Sequence, residues 1–199
     1  LSPGRGGPSC LLTAKGRIVG AFDIWCVSAG VYRLWTREPV RDGLLRTLGK
    51  YCLLSDVDVS DSSAERAFLA VQGPLAAAVL ASVLGDAEPP GAGQWRTVDV
   101  AGAEVNVCRG GESPEGGFEL AVPASDLDGF RGRLEDAARA VGGGTVDPRA
   151  VEELRVEAGR ARFGIDWDEE SFPNAVGFES ALTYDKCYVG QEIVARMRT

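Results

Sequence analysis

Short alternating runs of hydrophobic and polar residues near the start of the chain predict strands joined by tight turns. Residues 11–13 and 18–19 flank a turn around Gly16, whose backbone tolerates the turn conformation. A second turn at residues 29–30 leads into a strand at residues 31–35. The beginning of the chain is therefore predicted to form antiparallel strands.

The pattern then changes to helical spacing. Apolar residues at positions 40, 44, 45 and 48 lie on one face of a helix. Pro39 suits the first turn of this helix, where its missing N–H is not needed. A further short strand is predicted around residues 57–59.

Strands and helices continue to follow one another through the middle of the chain. We predict a buried strand at residues 67–71, a helix at 75–84, strands on both sides of 101–102, a strand at 118–122 and a helix at 125–141. This order, without a tight repeat of strand and helix, favours α+β layers over a doubly wound sheet. One module is predicted to end near residue 62, and a second to occupy residues 63–145.

A third helix is predicted after Asp147 and Pro148, because aspartate is a favoured N-cap and proline a favoured first residue. Glu157 lies in its last turn. A carboxylate is unfavourable there, because the C-terminus is the negative end of the helix dipole. The misfit marks Glu157 as a candidate for binding a partner, although charges near helix ends are commonly only solvated.

Composition excludes several classes of function. The 199 residues are 45% hydrophobic and 25% charged, with a formal net charge of -8. No basic block is present, so binding to nucleic acid or to an anionic membrane surface is not expected. No apolar stretch reaches the length of a membrane span. The glycine clusters lack the spacing of phosphate-binding loops and are predicted to be ordinary loops.

The chain has no histidine, and its five cysteines are scattered without a C-x-x-C motif. Zinc sites of the usual cysteine and histidine type, and catalysis by Ser-His-Asp or Cys-His groups, therefore lack their central residue. We predict no metal site. Reduced thiols fit the cytoplasm or another reducing compartment, such as a mitochondrial matrix. A thiol redox protein would need a nearby resolving cysteine.

The octet DKCYVGQE, residues 185–192, concentrates reactive side chains before an apolar run. Cys187 is either a small buried hydrophobe, the common fate of a free cysteine, or a thiolate stabilised by Lys186. In an extended chain, residues 187, 189 and 191 share one face, and Tyr188 and Glu192 lie on the other. Gly190 allows another backbone or a ligand to come close.

This octet resembles the K-G-C-Y-x-G-Q-E motif of the YgfZ branch of the folate-binding aminomethyltransferase superfamily, the relatives of the glycine-cleavage T-protein. Further similarity extends over nearly the whole chain. It includes residues 11–18, Lys50–Tyr51, residues 55–57, VQGP at 71–74, LRVEAG at 154–159, FGID at 163–166 and Phe172–Pro173.

The resemblance implies ferredoxin-like α+β modules arranged around a central channel. The first module is split between residues 1–62 and 146–199, and its own beginning and a C-terminal β-barrel are expected to lie outside this chain. Glu157 is expected to contact the pterin ring of tetrahydrofolate or a related folate.

The resemblance also assigns the octet to the channel. Lys186 and Cys187 are expected to be the reactive pair, and Tyr188, Gly190, Gln191 and Glu192 to line the folate site. Members of this branch are linked to maturation or repair of iron–sulfur enzymes. Client or assembly proteins of that pathway are therefore the expected partners.

Two departures keep other functions open. Lys186 and Cys187 are adjacent, without the intervening glycine of the motif, and Gly20–Ala21 stand where aminomethyltransferases have an acidic pair. We therefore predict a folate-binding, YgfZ-like protein that acts in iron–sulfur protein maturation. The alternatives are a folate-dependent aminomethyl- or methyltransferase, and a non-catalytic module that uses the octet as a docking strand.

Overall fold

The computed structural model describes residues 1–53, 55–85 and 87–197. The chain forms two compact units, one of residues 1–61 and 161–199 and the other of residues 62–160. Both contain sheet and helix, so the predicted α+β class is confirmed. Residues 146–160, which the sequence grouped with the first module, pack within the second unit.

The first unit begins with an antiparallel sheet of three strands in the order β1-β2-β3. The strands are β1 (Gly6–Leu12), β2 (Ile18–Ser28) and β3 (Val31–Trp35). Gly16 and Gly30 occupy the two turns with φ of 75° and 79°. These left-handed conformations favour glycine, because a Cβ atom would be strained there. The predicted strands and turns are confirmed.

Helix α1 (Glu38–Cys52) packs its buried residues Val40 and Leu44 toward β2. It confirms the predicted helix and extends beyond it. The predicted strand at residues 57–59 is wrong, because these residues form no strand. Val57 and Val59 are exposed, so no neighbouring strand or layer gives their alternation a buried face.

The C-terminal part of the first unit is mostly irregular and ends in helix α5 (Gln191–Arg196). Its core joins Trp167 and Val194 to Leu12 and Ile18 of the hairpin. Trp167 also makes an edge-to-face contact with Phe163, with ring centroids 4.9 Å apart. Aromatic packing of this kind orders a segment that has little regular secondary structure.

The second unit contains an antiparallel sheet of four strands in the order β4-β7-β6-β5. The strands are β4 (Arg66–Gln72), β5 (Trp95–Val100), β6 (Ala103–Gly110) and β7 (Gly117–Pro123). The helices are α2 (Ala76–Leu84), α3 (Leu127–Ala140) and α4 (Pro148–Glu157).

Helices α2 and α3 pack side by side on this sheet and form its core. Leu80 and Phe130 of the helices and Val105, Leu120 and Val122 of the strands are fully buried there. The predicted burial of β4 is wrong. It is an edge strand of the sheet, and Phe68 is 55% exposed.

None of the helices in the described part of the chain is long and apolar enough to cross a membrane.

Candidate functional site

The octet is a bend followed by a helix. Lys186 and Cys187 are exposed on an irregular segment, while Gln191 and Glu192 begin α5. The extended conformation considered for the whole octet is therefore wrong. Gly190 has φ of 85°, a left-handed conformation that ends the irregular segment and starts the helix.

Gly190 lies against the backbone of the first hairpin turn. A Cβ atom on Gly190 would come within 2.5 Å of the Thr13 carbonyl oxygen and 3.0 Å of the Gly16 Cα. A Cβ atom on Gly16 would in turn meet the Ile193 Cβ at 3.1 Å. These two glycines let the start of α5 pack directly on the β1–β2 turn, which positions the octet.

The amide of Gln191 closes the loop before α5. Its Nε2 donates a hydrogen bond to the Tyr184 carbonyl oxygen at 3.2 Å. The side chain of Asp185 accepts a hydrogen bond from the Thr183 hydroxyl, which lowers the pKa of this carboxyl group, and the charge of Lys186 acts in the same direction. Both Lys186 and Cys187 are exposed to solvent, and Lys186 makes no salt bridge among the described residues.

Tyr188 points away from solvent and lines an apolar pocket of about 350 Å³ in the first unit. Its hydroxyl group is buried and has no hydrogen-bond partner within the described residues. Burial, with a smaller contribution from Tyr184, raises the pKa of Tyr188. The pocket is lined by Cys10, Leu11, Leu12, Leu48, Tyr51, Tyr188 and Val189.

Cys10 is a protonated thiol in this pocket. Burial raises its pKa from 9.0 to about 12. Cys26 and Cys108 are also buried, whereas Cys187 is exposed. The thiolate is the reactive form of cysteine, and it requires access to a reagent. Cys52 is half-buried, so Cys187 is the most exposed of the five thiols and the best placed for chemistry.

Glu157 is the last residue of α4 in the second unit, whereas the octet belongs to the first. Its side chain is exposed and makes no hydrogen bond or ion pair within residues 1–53, 55–85 and 87–197. The helix begins as predicted, with the Asp147 carboxylate accepting a hydrogen bond from the Arg149 amide at 2.7 Å. A carboxylate without a protein partner is free to accept donors from a ligand.

The sequence does not predict the contacts made by Arg155, two residues before Glu157. Arg155 is buried, and its guanidinium pairs with Glu152, with Nη2 2.6 Å from Oε1. Gly159 follows the helix with φ of 65°. The three-residue spacing from Glu152 to Arg155 and the glycine after the helix are the signals that point to this arrangement.

Gly20–Ala21 lies in β2, at the position where the family resemblance implies an acidic pair in aminomethyltransferases. A Cβ atom on Gly20 would come within 2.7 Å of the Val40 Cγ1, so α1 occupies the space of any side chain there. The Ala21 carbonyl oxygen accepts a hydrogen bond from the Thr36 hydroxyl at 2.9 Å. This part of β2 is therefore built for packing, and the nearest acidic residue in the sequence is Asp23.

No group of three or more cysteine, aspartate or glutamate side chains in the described residues is arranged to hold a metal ion.

Three comparisons relate the chain to known proteins. A family model described as GCVT N-terminal domain matches residues 1–186. The chain is 35% identical over 146 residues to an aminomethyltransferase of Rubrobacter xylanophilus, across 72% of this chain and 38% of that protein. It is 27% identical over 197 residues to one of Xanthomonas oryzae, across 94% of this chain and 51% of that protein.

The fold is shared with a solved structure. The crystal structure of the glycine cleavage system aminomethyltransferase T from Bartonella henselae superposes with a TM-score of 0.86 at 22% identity. The match covers 100% of this chain and 54% of that one. The matches span about half the length of these relatives or less. The chain therefore belongs to the GCVT N-terminal domain family, within the folate-binding aminomethyltransferase superfamily.

Proposed function

We propose that this chain binds tetrahydrofolate or a related folate through Glu157, as part of a protein of the aminomethyltransferase type. The observation that carries the proposal is the exposed, unpartnered carboxylate of Glu157 on a turn that buried contacts hold in place. Membership of the family and the names of the relatives support the choice of folate as ligand.

The chemistry of a carboxylate suits this ligand. A pterin ring presents adjacent N–H donors along one edge, and the two oxygens of an ionised carboxylate can accept both together. Such paired, charge-assisted hydrogen bonds are short and directional. Glu157 has both oxygens available for them, because no protein donor among the described residues competes.

Two activities are compatible with folate binding. The names of the relatives favour aminomethyl transfer. With folate as the acceptor, the donor's methylene carbon would bond to the folate nitrogen and its amino group would leave as ammonia. That reaction is served by a carboxylate that polarises the folate nitrogen, which Gly20–Ala21 cannot supply. The exposed Cys187 beside Lys186 favours the second candidate, a YgfZ-like role in maturation or repair of iron–sulfur proteins.

Calorimetric titration with tetrahydrofolate tests the binding proposal. We expect the unaltered protein to bind and Glu157→Gln to weaken binding by about tenfold or more, roughly 1.4 kcal/mol. Glu153→Gln is the matched control, because Glu153 is also exposed and lies one turn earlier on α4. Equal losses in both variants, or no binding by the unaltered protein, would contradict the proposal. The second result would favour the non-catalytic docking module.

A pair of activity measurements separates the two candidates. Folate-dependent release of ammonia from an aminomethyl donor, lowered by Glu157→Gln at limiting folate and retained by Cys187→Ser, is expected for a transferase. For the iron–sulfur role, the opposite pattern is expected. The protein releases no ammonia, and restoration of a damaged iron–sulfur enzyme depends on Cys187. Iron–sulfur client or assembly proteins would then be its partners, in a reducing compartment.

A further inference from the structure

We infer that Arg155 is a positioning residue for the folate site, holding the turn from which Glu157 reaches its ligand. The inference rests on the proposed function, because it assigns Arg155 a role that is exerted through the Glu157 carboxylate. Arg155 is itself buried, so its role is exerted through the turn and not through contact with the ligand.

The guanidinium of Arg155 is enclosed. Its side chain is 4% exposed, and two of its nitrogens contact the Glu152 carboxylate, Nε at 3.0 Å and Nη2 at 2.6 Å from Oε1. A third nitrogen, Nη1, donates a hydrogen bond to the carbonyl oxygen of Arg160. The planar fork of arginine can make these contacts at once, and lysine cannot reproduce their geometry.

The main chain links the same two residues. The Arg160 amide donates to the Arg155 carbonyl oxygen at 3.0 Å, and the Gly159 amide donates to the Val156 carbonyl oxygen at 3.0 Å. With Gly159 in the left-handed conformation, this is a Schellman motif. Arg155 and Arg160 are therefore joined twice, through main chain and side chain, and Glu157 lies inside the closed turn.

Helix α3 also ends in a Schellman motif, at Gly142, but the arginine in its last turn makes no buried side-chain contact. Arg139 pairs with Asp136 at 2.7 Å and with Glu135 at 3.1 Å, but its side chain is 61% exposed. Exposed pairs of this kind add little to stability. Burying a guanidinium has a desolvation cost, which an apolar residue at the same helix end would avoid. The buried contacts of Arg155 instead restrict the turn that carries the unpartnered carboxylate of Glu157.

A double-mutant cycle on tetrahydrofolate affinity tests the inference. We expect Arg155→Lys to weaken binding by about fivefold in protein that remains folded. Combined with Glu157→Gln, it should add no further loss, because both changes remove the same interaction. Arg139→Lys is the matched control and should bind like the unaltered protein.

Gly159→Ala provides an independent perturbation of the same turn. A Cβ atom on Gly159 meets no other atom within 4 Å, so the change strains only the local backbone. We expect it also to weaken binding, and also without effect in the Glu157→Gln background. If the turn variants weaken binding further in the Glu157→Gln background, or if neither changes the affinity by itself, the role of Arg155 is overturned and the proposed function stands. Absence of binding by the unaltered protein would overturn the proposed function as well.

Discussion

Replacing Gly190 with alanine tests whether the start of α5 is held by direct backbone packing on the first hairpin turn. Gly190 has φ of 85°, and its added Cβ would lie 2.5 Å from the Thr13 carbonyl oxygen. The neighbouring contacts, to the Gly16 Cα at 3.0 Å and the Gly16 nitrogen at 3.1 Å, are also with backbone atoms. No side-chain rotation can relieve them, so α5 or the turn must move.

The expected loss has two parts. A left-handed conformation costs an L-residue other than glycine about 1–2 kcal/mol. Inserting a methyl group into a tightly packed contact costs about 1–3 kcal/mol. The free energy of unfolding should therefore fall by about 2–5 kcal/mol, a large share of the roughly 5–15 kcal/mol typical of a native protein.

Urea unfolding, followed by tryptophan fluorescence and far-ultraviolet circular dichroism, measures the loss. Gly177→Ala is the matched control, because Gly177 lies in the same unit with φ of 78° and a Cβ there would meet nothing within 4 Å. It should lose only the conformational part, about 1–2 kcal/mol. If Gly190→Ala is no more destabilising than Gly177→Ala, packing of α5 on the hairpin turn does not contribute as argued.

Three further predictions concern the cap of α4 and two thiols. Asp147→Ala removes the acceptor for the Arg149 amide and should lower the free energy of unfolding by about 1 kcal/mol, measured by urea unfolding. Iodoacetamide should alkylate the exposed Cys187 in the native protein before the buried Cys26, and peptide mass spectrometry that finds the reverse order would contradict this. Because burial raises the pKa of Cys10 from 9.0 to about 12, the unfolded thiol releases its proton first as pH rises. The contribution of Cys10 to the free energy of unfolding is therefore fully present below pH 9 and should be lost toward pH 12, by up to about 1.4 kcal/mol per pH unit. Urea unfolding measures this loss between about pH 8 and pH 10. Cys10→Ala should lose less stability over the same interval than the unaltered protein.

Local sequence patterns correctly predict those strands, turns and helices whose ends are determined by a residue at that end. The hairpin turns follow from glycines that adopt left-handed conformations, and α4 begins at the predicted Asp147 N-cap. Residues 57–59 show why alternation alone is insufficient. A strand needs a neighbour for its hydrogen bonds and a layer for its apolar face, and neither need is visible in a window of three residues.

The sequence does not predict helix α5, because its first two residues belong to the octet that was considered in an extended conformation. Only Val194 of the helix is fully buried. Six residues are too few for a helix to be stable on its propensity alone. Its conformation depends on contacts with Gly16, which lies far away in the sequence, so no local pattern could have indicated it.

The sequence proposes the exposed candidate residues, and it does not indicate the contacts that hold them in place. Glu157 was placed correctly at the end of a helix, and its unfavourable position relative to the dipole drew attention to it. The sequence assigns no role to Arg155, because its burial depends on the direction of its side chain. Only the structure shows that it reaches both Glu152 and Arg160.

Cys187 and Glu157 are held in similar ways, so the chemistry of each side chain can be separated experimentally from its structural support. Cys187 and Glu157 are exposed and unpartnered among the described residues, while the residues that hold them, Gly190 and Arg155, are packed. Substituting an exposed group should therefore remove its chemistry with little change in stability, whereas substituting a support should change stability as well. A loss of folate affinity in Glu157→Gln at unchanged stability would consequently report on binding itself, and the same reasoning applies to the thiol chemistry of Cys187→Ser.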